Sequence, residues 1–106
     1  MKTGNIVLPL YDNNGASLAE AHAGLQGALV DTFGGFTELA CKGAWRDDSG
    51  KIQTEPGTFY MFSGDASAAL VRELALHYGR LADQVAMYWA WDGVPYVENV
   101  AEGLAR

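Results

Sequence analysis

The chain switches between two hydrophobic periods. Over residues 5–11 the apolar positions alternate, with Ile6, Leu8 and Leu10 on one side and Val7 and Tyr11 on the other. That is a strand with two apolar faces, the pattern expected when both faces are covered. Pro9 has no N–H for a ladder, so it marks a bulge, a sheet edge or a break. Asp12-Asn13-Asn14-Gly15 reads as a turn without the spaced carboxylates of a calcium loop. Ser17-x-x-Glu20 then has the form of a capping box, in which hydroxyl and carboxylate satisfy free N–H groups at a helix start. Leu18, Ala21, His22, Leu25, Ala28, Leu29 and Thr32 follow the helical period, and Gly34-Gly35 stops it. A first helix is therefore expected over 18–33.

Residues 36–46 form the second expected strand, with Gly43 as a possible bulge. Asp47-Asp48-Ser49-Gly50 is a hairpin turn into a third strand over 51–63, whose first half Pro56-Gly57 interrupts. In that strand Thr58, Tyr60 and Phe62 oppose Phe59 and Met61. Asp65 or Ser67 caps a second helix over 66–81, with Leu70, Leu74, His77 or Tyr78, and Leu81 as the buried stripe. In a fourth strand over 84–91, Val85, Met87, Trp89 and Trp91 face one way and Ala86, Tyr88 and Ala90 the other. Asp92-Gly93 is a two-residue hairpin signal. A fifth strand over 94–100 follows, and 101–106 reads as a frayed tail. The order gives an α+β fold: a ferredoxin-like βαββαβ antiparallel sheet with both helices on one face, plus a C-terminal β-hairpin. It forms one domain over 1–106.

Composition narrows the function classes. Asp and Glu total 13 against 7 Lys and Arg, a net charge of −6. The basic residues form no cluster, so the stripe a nucleic-acid partner requires is missing. An acidic chain suits a cationic or zwitterionic small ligand. Cys41 is the lone cysteine, which excludes an intrachain disulfide and fits a reducing cytosol. No CxxC or HxxxH pair offers a zinc site. The first ten residues lack the basic and long apolar regions of a signal peptide. No apolar run approaches the ~20 residues that span a bilayer.

Chemistry-bearing residues are few. There is no GxSxG elbow and no glycine-rich phosphate loop. Cys41 reads as a small buried strand residue, and His22 and His77 as packing positions on helices. The most unusual stretch is the hairpin over 43–55. Across it Trp45 or Arg46 lies beside Glu55. A ring and a carboxylate together suit a cation; the plain alternative is an exposed Arg46–Glu55 ion pair with Trp45 shielding the sheet edge. Trp89 and Trp91 share a face that serves as core, subunit interface or ligand wall.

Gly43-Ala44-Trp45-Arg46-Asp47 is similar to the Gly-Cys-Tyr-Arg-Glu type segment of phage-encoded S-adenosylmethionine lyases, long called hydrolases. Thr54-Glu55 stands where that family has an acidic pair opening the next strand. Asp83-Gln84-Val85-Ala86-Met87-Tyr88, then Gly93 and Tyr96-Val97, extend the resemblance over about residues 34–100. The resemblance implies a ferredoxin-like homotrimer, related in shape to PII signalling proteins, with sites between subunits. It implies cleavage of S-adenosylmethionine to methylthioadenosine and homoserine lactone by the substrate's own carboxylate, with no metal and no cofactor. The setting it implies is the cytoplasm of a phage-infected bacterium, where loss of the methyl donor counters restriction. By position, Glu55 matches the family's active-site glutamate and Trp45 its active-site tyrosine. These two are the expected catalytic residues, with Arg46, Tyr60 and Tyr88 as candidates for substrate binding. Indole has an N–H but no hydroxyl. Either Tyr60 or Tyr88 takes the tyrosine's part, or the chain is a non-catalytic trimeric binder of a small ligand or a blocker of host defence.

Overall fold

The structure, a computed structural model, describes residues 1–101. The expected tail beyond Ala101 lies outside them. The elements run β1 (Lys2–Pro9), α1 (Ala19–Phe33), β2 (Thr37–Arg46), β3 (Ile52–Gly64), α2 (Ala68–Leu81), β4 (Ala86–Trp91) and β5 (Val94–Asn99). They form one antiparallel sheet in the order β2-β3-β1-β4-β5. The first four strands have the ferredoxin-like arrangement, and β5 is the added hairpin strand outside β4.

Cross-strand partners share a face, so the register assigns every side chain. Gly4 lies between Phe62 and Trp91, and Ile6 between Tyr60 and Trp89. These residues, with Leu8 and Met87, meet Leu25 and Leu29 of α1 and Val71 and Leu76 of α2 in one core. Trp89 and Trp91, only 1% and 2% exposed, belong to this core rather than to a subunit interface. Their indole N–H groups are both satisfied. Trp91 Nε1 donates to Ala66 O at 3.2 Å, and Trp89 Nε1 to Glu98 Oε1 at 3.2 Å. Glu98 in turn receives Arg72 Nε at 2.8 and 3.0 Å, which ties α2 to β5.

The other sheet face carries no helix. Leu39, Met61, Tyr88 and Val97 stand on it, each at least 39% exposed, with Phe59 and Val7 partly buried between them. The two-sided cover expected for β1 is thus one-sided within this chain.

Pro9 and Pro56 sit where no ladder bond is lost. Pro56 O accepts from Leu10 N at 3.1 Å, so its ring nitrogen faces the β1 side and not β2. β3 therefore continues through Pro56-Gly57, and Gly43 fits the one-to-one register with no bulge. Pro9 ends β1 beyond the last residue paired to β4, Ile6.

Local signals fared unevenly. Asp92 and Gly93 have φ of 52° and 81°, the two-residue turn that the sequence predicts. The capping box does not form. Ser17 is drawn into a bridge with Tyr11, its Oγ accepts only from Ala19 N, and α1 begins behind Leu18 with no side-chain cap. At α2, Ser67 is the cap and accepts from Leu70 N at 3.2 Å. The buried stripe of α2 is Val71, Ala75, Leu76 and Gly79, rotated from the expected one, and Leu81 and His77 are exposed. Small residues win that face because the helix lies close to the sheet: a Cβ on Gly79 would fall 2.4 Å from Met87 Cγ.

Two glycines test this packing with opposite signs. A Cβ on Gly4 would lie 2.4 Å from Trp91 Cε3 and 2.6 Å from Ala90 O, and the backbone oxygen has no room to move. Gly4→Ala is expected to cost about 1–3 kcal/mol. Gly27, exposed in α1, has nothing within 4 Å of such an atom, so Gly27→Ala is expected to stabilise by about 0.5–1 kcal/mol. Urea unfolding of both variants checks the pair; a harmless Gly4→Ala would contradict the close strand–indole contact.

Candidate functional site

β1 stops opposite Gly57, but β2 and β3 continue together. Residues 42–46 and 52–56 therefore form a two-stranded ribbon projecting from the sheet. β3 alone, 13 residues, spans about 40 Å at ~3.3 Å per residue. This matches the 43 Å long axis of the chain. A free ribbon of this kind is weak by itself, and its turn is secured by Asp47. One carboxylate oxygen accepts from Ser49 N at 3.0 Å, Ser49 Oγ at 2.6 Å and Lys51 N at 3.0 Å; the other accepts from Gln53 Nε2 at 2.8 Å.

The ribbon brings together the two expected catalytic residues. Gly43 pairs with Glu55 and Trp45 with Gln53, so Trp45 and Glu55 are diagonal neighbours on the helix-free face. Gly43 leaves space there: a Cβ on it would lie 3.9 Å from Glu55 Cγ. Trp45 is 49% exposed. Glu55 is partly buried and makes no hydrogen bond or ion pair among the described residues. Arg46 takes the opposite face and donates from Nη1 to Gly50 O at 2.6 Å. The surface ion pair with Glu55 is not formed.

The other two candidates stand elsewhere. Tyr88 shares the face of Glu55 but lies in the row of Phe59 and Val97. That row is four residues, roughly 13 Å, along the sheet and two strands, roughly 10 Å, across it. Tyr60 points to the helix side and is fully buried. The chain thus joins Trp45 to Glu55 but does not bring Arg46, Tyr60 or Tyr88 to them. Cys41 is on the helix-free face with its thiol pKa pushed up by burial, which does not favour a nucleophile.

A second polar constellation surrounds Tyr60. Pro9 O accepts from His22 Nε2 at 2.7 Å, and His22 Nδ1 is 2.6 Å from the Tyr60 hydroxyl. A carbonyl only accepts, so the imidazole hydrogen is on Nε2, and the Tyr60 O–H donates to bare Nδ1. Gln26 Nε2 donates to the same hydroxyl at 3.1 Å. Burial pushes the Tyr60 pKa up; the Gln26 bond offsets part of this and nearby Glu38 adds to it. These residues line a cleft of about 360 Å³ with Tyr11 and Thr58. The sequence marked His22 as a packing residue. Gln26 and Glu38 carry no motif, and the one available signal was the polar pair His22/Gln26 one helical turn apart.

No family model matches the chain, and no curated protein matches it in sequence. Solved structures share its architecture. A phage SAM lyase in complex with S-methyl-5'-thioadenosine superposes with a TM-score of 0.67 at 13% identity, covering 92% of this chain and 88% of that one. A phage SAM lyase in its apo state gives 0.63 at 14% identity over the same shares. The fold is that of these lyases. At such identities the likeness concerns the backbone alone.

The Asp47 turn sets a pH limit on the ribbon. Hydrogen bonds from Ser49 and Gln53 lower its pKa to about 2. A carboxylate with a depressed folded pKa contributes stability above its unfolded value, roughly 4, and that contribution disappears as pH falls through about 2. The Ser49 and Lys51 amide resonances are expected to hold from neutral pH to about 4 and to move only below it. A carboxyl titration of Asp47 near 4 would show that the turn is open in solution.

Proposed function

We propose that the chain is a lyase that cleaves S-adenosylmethionine to methylthioadenosine and homoserine lactone. The observation that carries the reading is Glu55: a partly buried carboxylate without a partner, diagonal to an open indole, on the fold of the phage SAM lyases. The reaction needs little from the protein. A carboxylate oxygen of the substrate forms a bond to the side-chain carbon attached to sulfur. The C–S bond breaks and sulfur keeps the electron pair. The two opposite charges vanish together and no proton moves. Holding the carboxylate and carbon in line supplies up to ~7–11 kcal/mol of the barrier, and fixed dipoles in a water-poor site supply more.

This charge change decides what Glu55 can do. The sulfonium loses its charge toward the transition state, so a carboxylate beside it would favour the starting state. The substrate ammonium keeps its charge throughout. Glu55 therefore acts on the ammonium, where opposite charges ~4 Å apart gain ~4 kcal/mol at an effective dielectric of ~20, before desolvation. This is uniform binding, felt in KM more than in kcat.

The same reading makes the protein a homotrimer with its site between subunits. The helix-free face supports it. Leu39, Met61, Tyr88 and Val97 are exposed there, and beside them Asn5 Oδ1 is buried without a hydrogen-bond partner. Covering this face brings a second subunit to the ribbon and closes the cleft that one protomer leaves open. The proposed setting is the cytoplasm of an infected bacterium, where consumption of the methyl donor starves restriction enzymes. Trp45 favours a second reading, a binder that holds the ligand without cleaving it, because indole supplies no hydroxyl.

Glu55→Gln is expected to melt within about 0.5 kcal/mol of the parent, while kcat/KM for methylthioadenosine release falls at least about tenfold, mostly through KM. Chromatography of the nucleoside product measures it. Unchanged kinetics would remove Glu55 from the site, and a parent that binds the substrate without cleaving it would establish the binder. Light scattering is expected to give three times the chain mass, and Val97→Lys to shift it to monomer; a monomeric parent would rule out the shared site.

A further inference from the structure

Trp45 and Gln53 are direct cross-strand partners on the helix-free face of the ribbon, farther from the body of the sheet than Glu55. Side chains paired in this way have Cβ atoms about 4.5–5.5 Å apart. A partly buried amide therefore stands beside the open indole. Its orientation is fixed by the turn. Gln53 Nε2 donates to Asp47 Oδ2 at 2.8 Å, while the other oxygen of Asp47 is held by Ser49 N, Ser49 Oγ and Lys51 N. A carboxylate only accepts, so the amide nitrogen must face it. Oε1 and the second N–H of Gln53 then make no hydrogen bond among the described residues. Gln53 thus shows one acceptor and one donor in a set order. A free amide has no such order, because turning it over exchanges the two. Here turning it over would put Oε1 against the Asp47 carboxylate, with repulsion in place of a hydrogen bond. The Trp45 N–H is also unpaired, but it lies in the ring plane and points away from anything stacked on the ring face.

We propose that Gln53, oriented by Asp47, selects the nucleobase of the ligand; the ligand class itself rests on the lyase reading. The base stacks on Trp45. Gln53 Oε1 accepts from the exocyclic amino group of adenine, and the free N–H of Gln53 donates to the ring nitrogen beside it. This is the pairing that an adenine edge offers to an amide. Hypoxanthine carries an exocyclic oxygen and a ring N–H on the same edge, the reverse order. Stacking alone accepts any purine, so the choice falls to the amide, and it is made before the ligand arrives because Asp47 has already placed it.

The experiment measures binding of methylthioadenosine and methylthioinosine to the full chain by isothermal calorimetry at neutral pH. The adenine compound is expected to bind at least about tenfold tighter. Gln53→Met keeps the length of the side chain and is expected to bring the ratio of the two affinities to about one. Asp47→Asn reads the orientation itself. Its carbonyl oxygen can keep the three bonds of the turn while its NH2 replaces Oδ2, so Gln53 turns Oε1 toward it and shows its own NH2 outward. The preference is then expected to shrink or to reverse toward methylthioinosine. If Gln53 only secured the turn, both variants would change the two affinities alike and leave the ratio as it was. That unchanged ratio, equal affinities in the parent, or no binding of either nucleoside would each overturn the proposal. Cleavage is assayed separately. A parent that prefers methylthioadenosine but releases none from S-adenosylmethionine keeps the base selection and rejects the lyase. A parent that cleaves S-adenosylmethionine and S-inosylmethionine equally well keeps the lyase and rejects the base selection.

Discussion

The contact on which both candidate sites depend is the hydrogen bond from His22 to the carbonyl of Pro9. β1 is the central strand, and its end decides what lies beyond. Proline cannot donate, and on the side Pro9 faces the pairing of β1 with β4 has already ended at Ile6, so its carbonyl would be left inside without a partner. His22 fills that place from α1 and at the same time accepts from Tyr60 on β3. A helix, the central strand and its neighbour are thus joined at one point. Past it β2 and β3 have only each other, which makes the ribbon. Beside it the space between α1 and the sheet stays open, which makes the cleft. Replacing His22 by an apolar residue of similar size would strand both the carbonyl and the buried phenol.

Both faces of the sheet carry apolar side chains, and the helices of this chain cover one of them. Residues at even positions along β1 and at odd positions along β4 lie under the helices, so Trp89 is sealed while Tyr88, next to it, is 39% exposed. A single sheet cannot bury both sets without a second layer. The second set is not polar, as it would be in a sheet meant to face water: Leu39, Phe59, Val7 and Val97 stand in or beside the row of Tyr88. Exposed apolar patches of this extent mark contact surfaces, and the projecting ribbon, exposed on both sides, has the same need.

Much of the architecture was legible because strand alternation and turn chemistry are local. The two faces of β4 and the Asp92-Gly93 turn follow from a few adjacent residues. The doubly apolar pattern of β1 was legible too, but the two-sided cover it suggested is one-sided among the described residues. What escaped depends on distant partners. Ser17 and Glu20 have the form of a cap, but Tyr11 competes for Ser17 through a bridge that no local rule contains. The stripe of α2 is fixed by how near Met87 approaches Gly79, a tertiary distance. The candidate site divides in the same way. Whether Trp45 or Arg46 lies beside Glu55 depends on register alone, and a one-residue slip would exchange them. Glu38 and Gln26 were invisible because a carboxylate and an amide on exposed-looking positions become a cluster only when Tyr60 and His22 are placed between them.

On the lyase reading proposed above, the indole at position 45 would separate cleavage from mere binding through the charge that the reaction removes. An aromatic face over a cation gains about 0.5–2 kcal/mol. If Trp45 covers the sulfonium, that gain is present in the bound substrate and fades as sulfur becomes a neutral thioether, so the ring deepens the starting state and slows the step. If Trp45 stacks on the adenine, its contribution is the same before and after the bond breaks. It then adds affinity without opposing the chemistry. The geometry of the ribbon bears on this choice. Glu55 sits two residue pairs nearer the body of the sheet than Trp45. On the proposed reading, a substrate with its ammonium on Glu55 and its length directed outward along the ribbon would meet the indole as its first large surface. The methionine part is only a few carbons long, which in that direction would bring the sulfonium to the near edge of Trp45 and the adenine beyond it over the ring. In that orientation stacking would serve the nucleobase and the sulfur would stay at the rim, the arrangement in which a tryptophan in place of a tyrosine would be compatible with the proposed turnover.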